Sequence, residues 1–251
     1  MNNRCKYTVI MILFVLIGWS ILFPLNLFGL TADEIVERAD RIRNPGQSYY
    51  VLAQITSIRP DAEEKVEQYE VFVKGRDKTA VKTIYPKMQR GRNLLMRGYD
   101  LWFYLPNIRK PVRISLQQRL LGQVSNGDIA RADFSGDYKA SILRTELIDG
   151  IEYYVLNLLA RNRKVTYHKI LYWVNKNDYH PLKTEFYTLS DKLLKTCHFT
   201  EYKFVAGDFR PVKMVIEDNL LIGHESILEY FKIERRNFPD KIFNKNYLDK
   251  L

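Results

Sequence analysis

From Tyr49 onwards, hydrophobic and polar residues alternate along most of the chain. A period of two residues is typical of strands that bury one face of a sheet. Turn sequences interrupt the alternation at hairpin spacing, and the clearest are Gly98 within residues 97–100, the pair Asp149-Gly150, and Gly207. The pattern predicts an antiparallel meander of about eleven strands. No linker or change of composition divides residues 33–251, so we expect one domain.

Two segments depart from this alternation and have a helical pattern. Residues 33 to about 43 place four apolar side chains on one side, namely Ile35, Val36, Ala39 and Ile42. Residues 115 to about 133 contain Ser115-x-x-Gln118 and Ser125-x-x-Asp128, and both match the capping box that begins many helices. A sheet of about eleven strands has to curl or close in order to bury a face. We therefore predict a mainly β fold with helices (α+β), in which one antiparallel sheet curls into an incomplete barrel and helices cover its open side.

The predicted strand at residues 101–105 is apolar on both faces. If Gly98-Tyr99 is the turn of a type II′ hairpin, Met96 faces Leu101 across it. One face then collects Leu94, Met96, Leu101, Phe103 and Leu105, and the other collects Leu95, Trp102 and Tyr104. Antiparallel sheets normally leave one face to water, so something must cover both. Two interpretations stay open: ordinary core packing beneath a helix, or a face that lines a cavity for an apolar ligand.

A basic connector and three leucines follow this strand. Arg109, Lys110 and Arg113 form either a solubilising loop or a contact for lipid head groups or an acidic partner. Beyond them, the capping pattern would place Leu116, Leu120 and Leu121 on one side of a helix. Such a stripe is either ordinary core or a lid helix that rests on the apolar strand.

The N-terminus resembles a secretory signal. Arg4 and Lys6 precede a stretch without charge from residue 7 to residue 32, which fits the n-region and h-region of such a signal. We expect cleavage after Ala32, although the same stretch is long enough to remain as a membrane anchor. Cleavage would also remove the threonine of a third capping pattern, Thr31-x-x-Glu34. Export predicts a periplasmic location.

The charge of the chain narrows its partners. The net charge is +10, and it would fall to +8 with the loss of residues 1–32, which carry two cations and no acids. A basic protein suits nucleic acid, anionic lipid or an acidic partner. Export and the lack of a helix that concentrates charge argue against nucleic acid. We therefore expect contact with an anionic membrane surface.

Residues that could carry chemistry are few. His168, His180, His198 and His224 lack the spacing of a zinc site, and neither a G-x-S-x-G motif nor a phosphate-binding glycine loop is present. Cys197 is the lone cysteine of the mature chain, which excludes an internal disulfide. Its neighbour His198 would point to the opposite face of a strand, so we expect a buried thiol rather than a reactive pair. We predict no enzyme, no metal and no cofactor.

Residues 88–138 carry a resemblance to a known family. The matching elements are LWFYLP at residues 101–106, IRKPVR at 108–113, SLQQRLLG at 115–122, SNGD at 125–128, and LTADEIV at 30–36. They resemble the outer membrane lipoprotein-sorting family, in the LolA-like branch often found with RND-type exporters. The resemblance implies a LolA/LppX-like incomplete barrel whose helices close a hydrophobic cavity. It also implies a periplasmic carrier that shields acyl chains of lipoproteins or other lipids on their way to the outer membrane.

Two functions follow as hypotheses. The first is this monomeric carrier, with an inner-membrane exporter or an outer-membrane acceptor as its protein partner. The second is an accessory module of an RND-type exporter, tethered by an uncleaved N-terminus and docking through its apolar faces. For the carrier we predict gate or head-group contacts at Arg92, Arg109, Lys110 and Arg113. The predicted lipid-binding residues of cavity and lid are Leu94, Met96, Leu101, Trp102, Phe103, Tyr104, Leu105, Leu116, Leu120 and Leu121.

Overall fold

A computed structural model describes residues 29–44, 47–131 and 133–251. The signal predicted at residues 1–32 lies outside this range except for its last four residues. Residues Thr31–Leu251 form one compact unit. Within the described residues, no helix has both the length and the apolar character that a bilayer crossing requires.

The unit is built on one antiparallel sheet of thirteen strands. Its first half contains β1 (Ser48–Arg59), β2 (Ala62–Lys74), β3 (Lys78–Tyr85), β4 (Asn93–Arg97), β5 (Asp100–Tyr104) and β6 (Pro111–Ile114). A separate two-stranded hairpin follows, β7 (Arg119–Leu121) with β8 (Val124–Ser125). The second half of the sheet contains β9 (Tyr138–Ile148), β10 (Ile151–Ala160), β11 (Lys169–Asn175), β12 (Pro181–Tyr187), β13 (Leu193–Val205), β14 (Asp208–Asp218) and β15 (Glu225–Arg235).

The two halves join through β1 and β15, so that β6 and β9 become the edge strands. The predicted count of about eleven strands was therefore too low. One strand that the pattern missed is β6, which lies in the basic connector. Its residues Val112 and Arg113 are exposed at the sheet edge, so it lacks the alternation of a half-buried strand.

The ends of the sheet approach each other without pairing. The turn between β4 and β5 lies next to one edge, and its Tyr99 hydroxyl donates to Asp137 Oδ1 at 2.8 Å. Asp137 immediately precedes β9, the opposite edge strand. The contact requires the sheet to curl, yet β6 and β9 form no ladder. The sheet is therefore open and not closed into a barrel.

Among the described residues, three α-helices accompany the sheet: α1 (Ala32–Arg43), α2 (Asn126–Ala130) and α3 (Phe134–Asp137). The predicted first helix is confirmed, and its side formed by Ile35, Val36, Ala39 and Ile42 is buried. Its capping box also forms, because Thr31 N donates to Glu34 at 2.8 Å and Glu34 N donates to Thr31 Oγ1 at 3.3 Å. We call α1, α2 and α3 together the lid, since they lie over one face of the sheet.

The second predicted helix is correct only at its far end. Ser125 N donates to Asp128 at 2.7 Å, and this capping box begins α2 as expected. The predicted lid helix near residue 115 is wrong, because Ser115 and Gln118 make their capping hydrogen bonds within a single turn. The chain then forms the β7–β8 hairpin, whose turn holds Gly122 at a φ of +55°. A Cβ on Gly122 would lie 2.2 Å from Ser226 Oγ, so packing against the sheet selects the hairpin.

The doubly apolar hairpin has the predicted register. Met96 pairs with Leu101, and Leu95 pairs with Trp102 across the turn at Gly98, whose φ is +59°. Both faces are covered, as the pattern required. On the face away from the lid, the C-terminal segment covers the strands with Phe238, Phe243 and Leu248, and the sheet contributes Tyr50, Ala80 and Leu95. Two 3-10 helices, Asp240–Phe243 and Lys245–Lys250, carry this segment.

Candidate functional site

A cavity of about 80 Å³ lies between the lid and the second half of the sheet. Its wall is mostly aromatic and aliphatic: the lid supplies Phe134, and the sheet supplies Phe186, Met214, Ile216 and Leu228. Pockets that hold drug-sized ligands have volumes of about 300–1,000 Å³. The cavity is therefore too small for a whole acyl chain.

Further spaces adjoin this central cavity on two sides. On one side, a space of about 40 Å³ shares Arg43 and Tyr230 with it, and an opening of about 240 Å³ adjoins that space at Tyr49. On the other side, an outer pocket of about 360 Å³ shares Tyr167 and Lys195 with the central cavity. The four spaces adjoin one another through shared lining residues, and the outer pocket lies beside the β7–β8 hairpin.

A buried ion pair separates the outer pocket from the central cavity. Lys195 Nζ, from β13, donates to Asp128 Oδ2 of α2 at 2.6 Å and to the Gln123 carbonyl at 2.6 Å. The Tyr167 hydroxyl donates to Asp128 Oδ1 at 2.8 Å, and Ser125 N donates to Oδ2 at 2.7 Å. Burial and Asp128 hold the pKa of Tyr167 well above its usual value, so it remains a neutral donor. We call Lys195, Asp128 and Tyr167 the gate cluster.

A second cluster fastens the far end of α2. Arg131 donates to both carboxylate oxygens of Asp137 at 2.6 Å, from Nε and from Nη2. The fork geometry makes this the strongest type of side-chain ion pair. Arg131 also donates to the Gly98 carbonyl at 3.3 Å, and the Tyr99 ring lies 4.3 Å from its guanidinium carbon. The cluster therefore ties α2 and α3 to the turn between β4 and β5.

The first helix is held from both sides. Arg210 of β14 donates at 2.7 Å to the carbonyls of Arg41 and Ile42, in the last turn of α1. A cation at a helix C-terminus satisfies free carbonyls and suits the helix dipole. On its other side, Asp40 of α1 accepts from Ser135 N of α3 at 2.7 Å. Burial raises the pKa of Asp40 to about 6, although Arg43 opposes this shift.

The inner wall holds the thiol that the sequence singled out. Cys197 is buried and lines the central cavity, whereas its neighbour His198 is half-buried on the other side of β13. Burial raises the pKa of the Cys197 thiol to about 12, so it stays protonated and unreactive. The expectation of a buried thiol is confirmed. Among the described residues, no group of three or more His, Cys, Asp or Glu side chains could hold a metal ion.

The residues predicted for lipid contact lie mostly elsewhere, in the first half of the sheet. Leu94, Met96 and Leu101 are buried on the lid side, on the face where the Thr79 hydroxyl donates to the Ala130 carbonyl of α2 at 2.8 Å. Phe103 shares that face through its pairing with Leu94, and Leu105 follows β5 half-buried. Trp102 and Tyr104 pack on the opposite face against the C-terminal segment. In and before the β7–β8 hairpin, Leu116 and Leu121 are buried and Leu120 is half-buried.

The four predicted cations are on the surface. Arg92, Arg109 and Lys110 are exposed in loops, and Arg113 of β6 forms an ion pair with Asp100. The structure brings none of these four into the wall of the central cavity, which takes its cations from Arg43, Arg131 and Lys195. One signal for Lys195 was present in the sequence, since it lies two residues before Cys197 and so shares its inward face.

Similarity to known proteins agrees with this architecture. A LolA superfamily protein from Nitrosomonas europaea is 45% identical, with 87% of this chain and 100% of that chain covered and a TM-score of 0.84. A DUF1329 family protein from Desulfovibrio piger is 22% identical, with 86% of this chain and 97% of that chain covered and a TM-score of 0.76. A putative outer membrane lipoprotein-sorting protein domain from Vibrio parahaemolyticus is 24% identical, with 87% and 98% covered and a TM-score of 0.72. These last two are similar in fold.

A family model described as an uncharacterized protein matches residues 75–250. No curated protein matches the chain.

Proposed function

Because the chain belongs to the LolA superfamily, we propose that it is a non-enzymatic carrier which takes acyl chains of a lipid or lipoprotein into the space under its lid. The observation that carries the proposal is the set of adjoining cavities under and beside the lid, with an aromatic and aliphatic wall at its centre. Outward movement of α2 would join the separate spaces into one groove. Each methylene that enters such a groove is stabilised by about 0.8 kcal/mol.

The lid residues support a mechanism of opening and closing. Two ion pairs hold the lid: Lys195–Asp128 in the gate cluster, and the Arg131–Asp137 fork. Both pairs are largely buried. Buried pairs are costly to separate but also costly to desolvate, so their net contribution to stability is small. A ligand that fills the groove can therefore offset their separation. Release then needs a membrane or protein partner that stabilises the empty, closed form.

The first half of the sheet supplies the proposed extension of the groove. Leu94, Met96 and Leu101 share the lid side with Thr79, which is bonded to α2. If α2 moves outward, this apolar face becomes available to a long chain. These three residues and Phe103 are therefore our candidates for lipid contact. Trp102 and Tyr104 lie on the opposite face and pack against the C-terminal segment.

We propose the periplasm as the site of action, reached through the signal predicted at residues 1–32. The partners that suit a basic carrier there are an anionic membrane surface, an inner-membrane exporter and an outer-membrane acceptor. Arg92, Arg109 and Lys110 are exposed and remain our candidates for head-group contact. The alternative of a docking module is less well supported, since the chain's own C-terminal segment covers one of the apolar faces it would use.

A fluorescence titration tests the carrier function. The mature chain, stripped of bound lipid, should bind a fluorescent fatty acid with saturable enhancement of emission. Substituting Leu228→Trp fills the central cavity and should weaken this binding at least tenfold, whereas Leu147→Trp, at an exposed position on β9, should not change it. Absence of saturable binding by the unsubstituted chain would contradict the proposal.

A further inference from the structure

The charges in the wall of the central cavity do not balance. Arg131 and Lys195 line it together with their own carboxylates, Asp137 and Asp128, at 2.6 Å. Arg43 also lines it, but its carboxylate partner Asp40, which accepts from Arg43 Nη1 at 3.1 Å, is not part of the wall. The wall therefore has one cation more than it has carboxylates. An acyl chain alone gives no reason for a charge at this position, where burial is costly.

Packing holds the Arg43 side chain in place. Its guanidinium carbon lies 3.9 Å from the centre of the Phe134 ring, and its side chain is 11% exposed. Tyr172 contacts the same ring edge-on, with the two ring centres 5.4 Å apart. Arg43 and Tyr172 are thus neighbours of one aromatic side chain, and the charge of Arg43 acts on the Tyr172 hydroxyl.

Two hydroxyl groups on the inner face of the sheet have only weak partners, which are Arg43 for Tyr172 and the Cys197 thiol for Thr184. Tyr172 Oη and Thr184 Oγ1 are buried and make no hydrogen bond of acceptable geometry with any described residue. They pair directly across β11 and β12, and the same row continues through Cys197 to Ile216. Thr184, Cys197 and Ile216 line the cavity, so the row faces inward. Tyr172 is not itself part of the wall and lies behind it, against the wall residue Phe134. Each hydroxyl can donate one hydrogen bond, and the neighbouring thiol is a weak partner.

A buried hydroxyl without a partner destabilises a fold by about 1–3 kcal/mol. Such groups are therefore expected where a ligand supplies the missing acceptor. A cation with two hydroxyl donors is suited to an oxygen that carries negative charge. The apolar wall continues from this point through Phe186, Met214 and Leu228.

We propose that Arg43, Tyr172 and Thr184 form a receptor for the anionic head of a long-chain amphiphile, a carboxylate or a phosphate monoester, whose chain extends along the apolar wall. This inference rests on the proposed carrier function and names the chemical class of its ligand. The closed cavity holds the head and a few methylenes, and the remainder of the chain occupies the groove that opens under α2.

The test compares ligands of one chain length and three heads. Hexadecanoate, hexadecyl phosphate and hexadecanol are titrated into the delipidated mature chain at pH 8, where both acids are ionised. We expect the better of the two anions to bind at least tenfold more tightly than the alcohol. The order of the two anions identifies the head as carboxylate or phosphate, and either order supports the receptor.

Two substitutions remove the hydroxyl donors and leave the ion pair of Arg43 with Asp40 in place. Tyr172→Phe and Thr184→Val should each weaken binding of the preferred anion about three- to tenfold and leave hexadecanol binding unchanged, because the apolar wall is intact. Neither should lower the thermal midpoint, since each removes a buried hydroxyl that makes no hydrogen bond of acceptable geometry. The matched control is Tyr50→Phe on the far side of the sheet, whose hydroxyl donates to Glu70, and it should leave the preference for the anion intact.

Different results would refute the carrier function and the anionic receptor. If the anions and the alcohol bind equally well, the carrier stands and the anionic receptor is refuted. If Tyr172→Phe weakens alcohol and anion alike, the hydroxyl has a general packing role and the receptor is again refuted. If none of the three ligands binds, the carrier function itself is contradicted.

Discussion

Replacement of Lys195 by methionine tests the gate cluster, on which closure of the lid depends in the proposed mechanism. The Lys195 side chain is 6% exposed and that of Asp128 is 15% exposed, so the pair has little access to water. Removal of one partner from a buried pair destabilises a protein by about 3–5 kcal/mol, because the other charge is left uncompensated. Here the loss should be smaller, since Asp128 keeps the donors Tyr167 and Ser125 N.

We therefore expect Lys195→Met to lower the free energy of unfolding by about 2–4 kcal/mol in urea denaturation. Asp128→Asn should cause a similar loss, because it leaves the Lys195 ammonium without its carboxylate. The double substitution should recover at least about 1 kcal/mol relative to the sum of the two, since both charges are gone. Each single variant should also admit a fluorescent fatty acid faster than the unsubstituted chain.

The control for this prediction is the exposed pair of Lys203 and Glu201 at 2.9 Å, where Lys203→Met should change stability by less than about 1 kcal/mol. Additive losses in the double variant would show that the two residues do not act as a pair. Unchanged stability and an unchanged rate of ligand entry in Lys195→Met would refute the gate.

Three further predictions concern other parts of the molecule. The raised pKa of Asp40, about 6 against an ordinary 3.8, means that the folded state holds this proton more tightly than the unfolded chain, so the contribution of Asp40 to stability falls as pH rises from about 4 to 6. The free energy of unfolding of Asp40→Asn, measured in urea, should therefore rise relative to that of the unsubstituted chain by roughly 1–3 kcal/mol between pH 4 and pH 7. Parallel pH curves for the two proteins would contradict this. Gly122→Ala should lower the free energy of unfolding by at least about 2 kcal/mol, because a positive φ and a contact with Ser226 Oγ both oppose a Cβ, whereas Gly150→Ala, which meets open space, should lose only about 1 kcal/mol. Equal losses at the two glycines would argue against the packing role of the β7–β8 hairpin. Leu248→Ala should destabilise the fold by about 2–5 kcal/mol in the same assay and leave fatty-acid affinity unchanged, since Leu248 is fully buried on the face opposite the lid. A change in affinity with no change in stability would place that face in the binding site.

Local chemistry allowed parts of the fold to be predicted from the sequence. A glycine at the first central position of a two-residue turn determines which residues face each other, and the pairing of Met96 with Leu101 followed from it. The first helix was equally accessible, because its apolar side and its polar side are separated at helical spacing. Both features depend on residues that are close in sequence.

The errors arose where distant contacts decide the conformation. The capping hydrogen bonds of Ser115 and Gln118 form as the pattern suggests, but they do not lead into a helix, because Gly122 packs against Ser57 and Ser226 of two central strands. A capping motif indicates where a helix can begin, but it contains no information on the tertiary contacts of the residues that follow. The edge strand β6 was missed for a related reason, since an exposed edge imposes no alternation on its residues.

The wall of the cavity was the hardest part to predict. Period-two alternation indicates that Lys195, Cys197 and Thr184 face inward, but it does not indicate whether protein or an open space lies in front of them. That depends on where α2 is fastened, and the fastening joins residues far apart in sequence, such as Asp128 and Lys195. The apolar strand at residues 101–105 gave the stronger signal in the sequence, yet one of its faces packs against the C-terminal segment and Leu101 on the other face is buried on the lid side.

Native mass spectrometry of the mature protein purified from its own cells tests the carrier function most directly. The account predicts a species heavier than the bare chain by the mass of one lipid, which collisional activation releases and which fragments as a long-chain amphiphile. The Leu228→Trp variant should carry markedly less of it. A spectrum with only the bare chain, together with no binding of added fatty acid, would contradict the account.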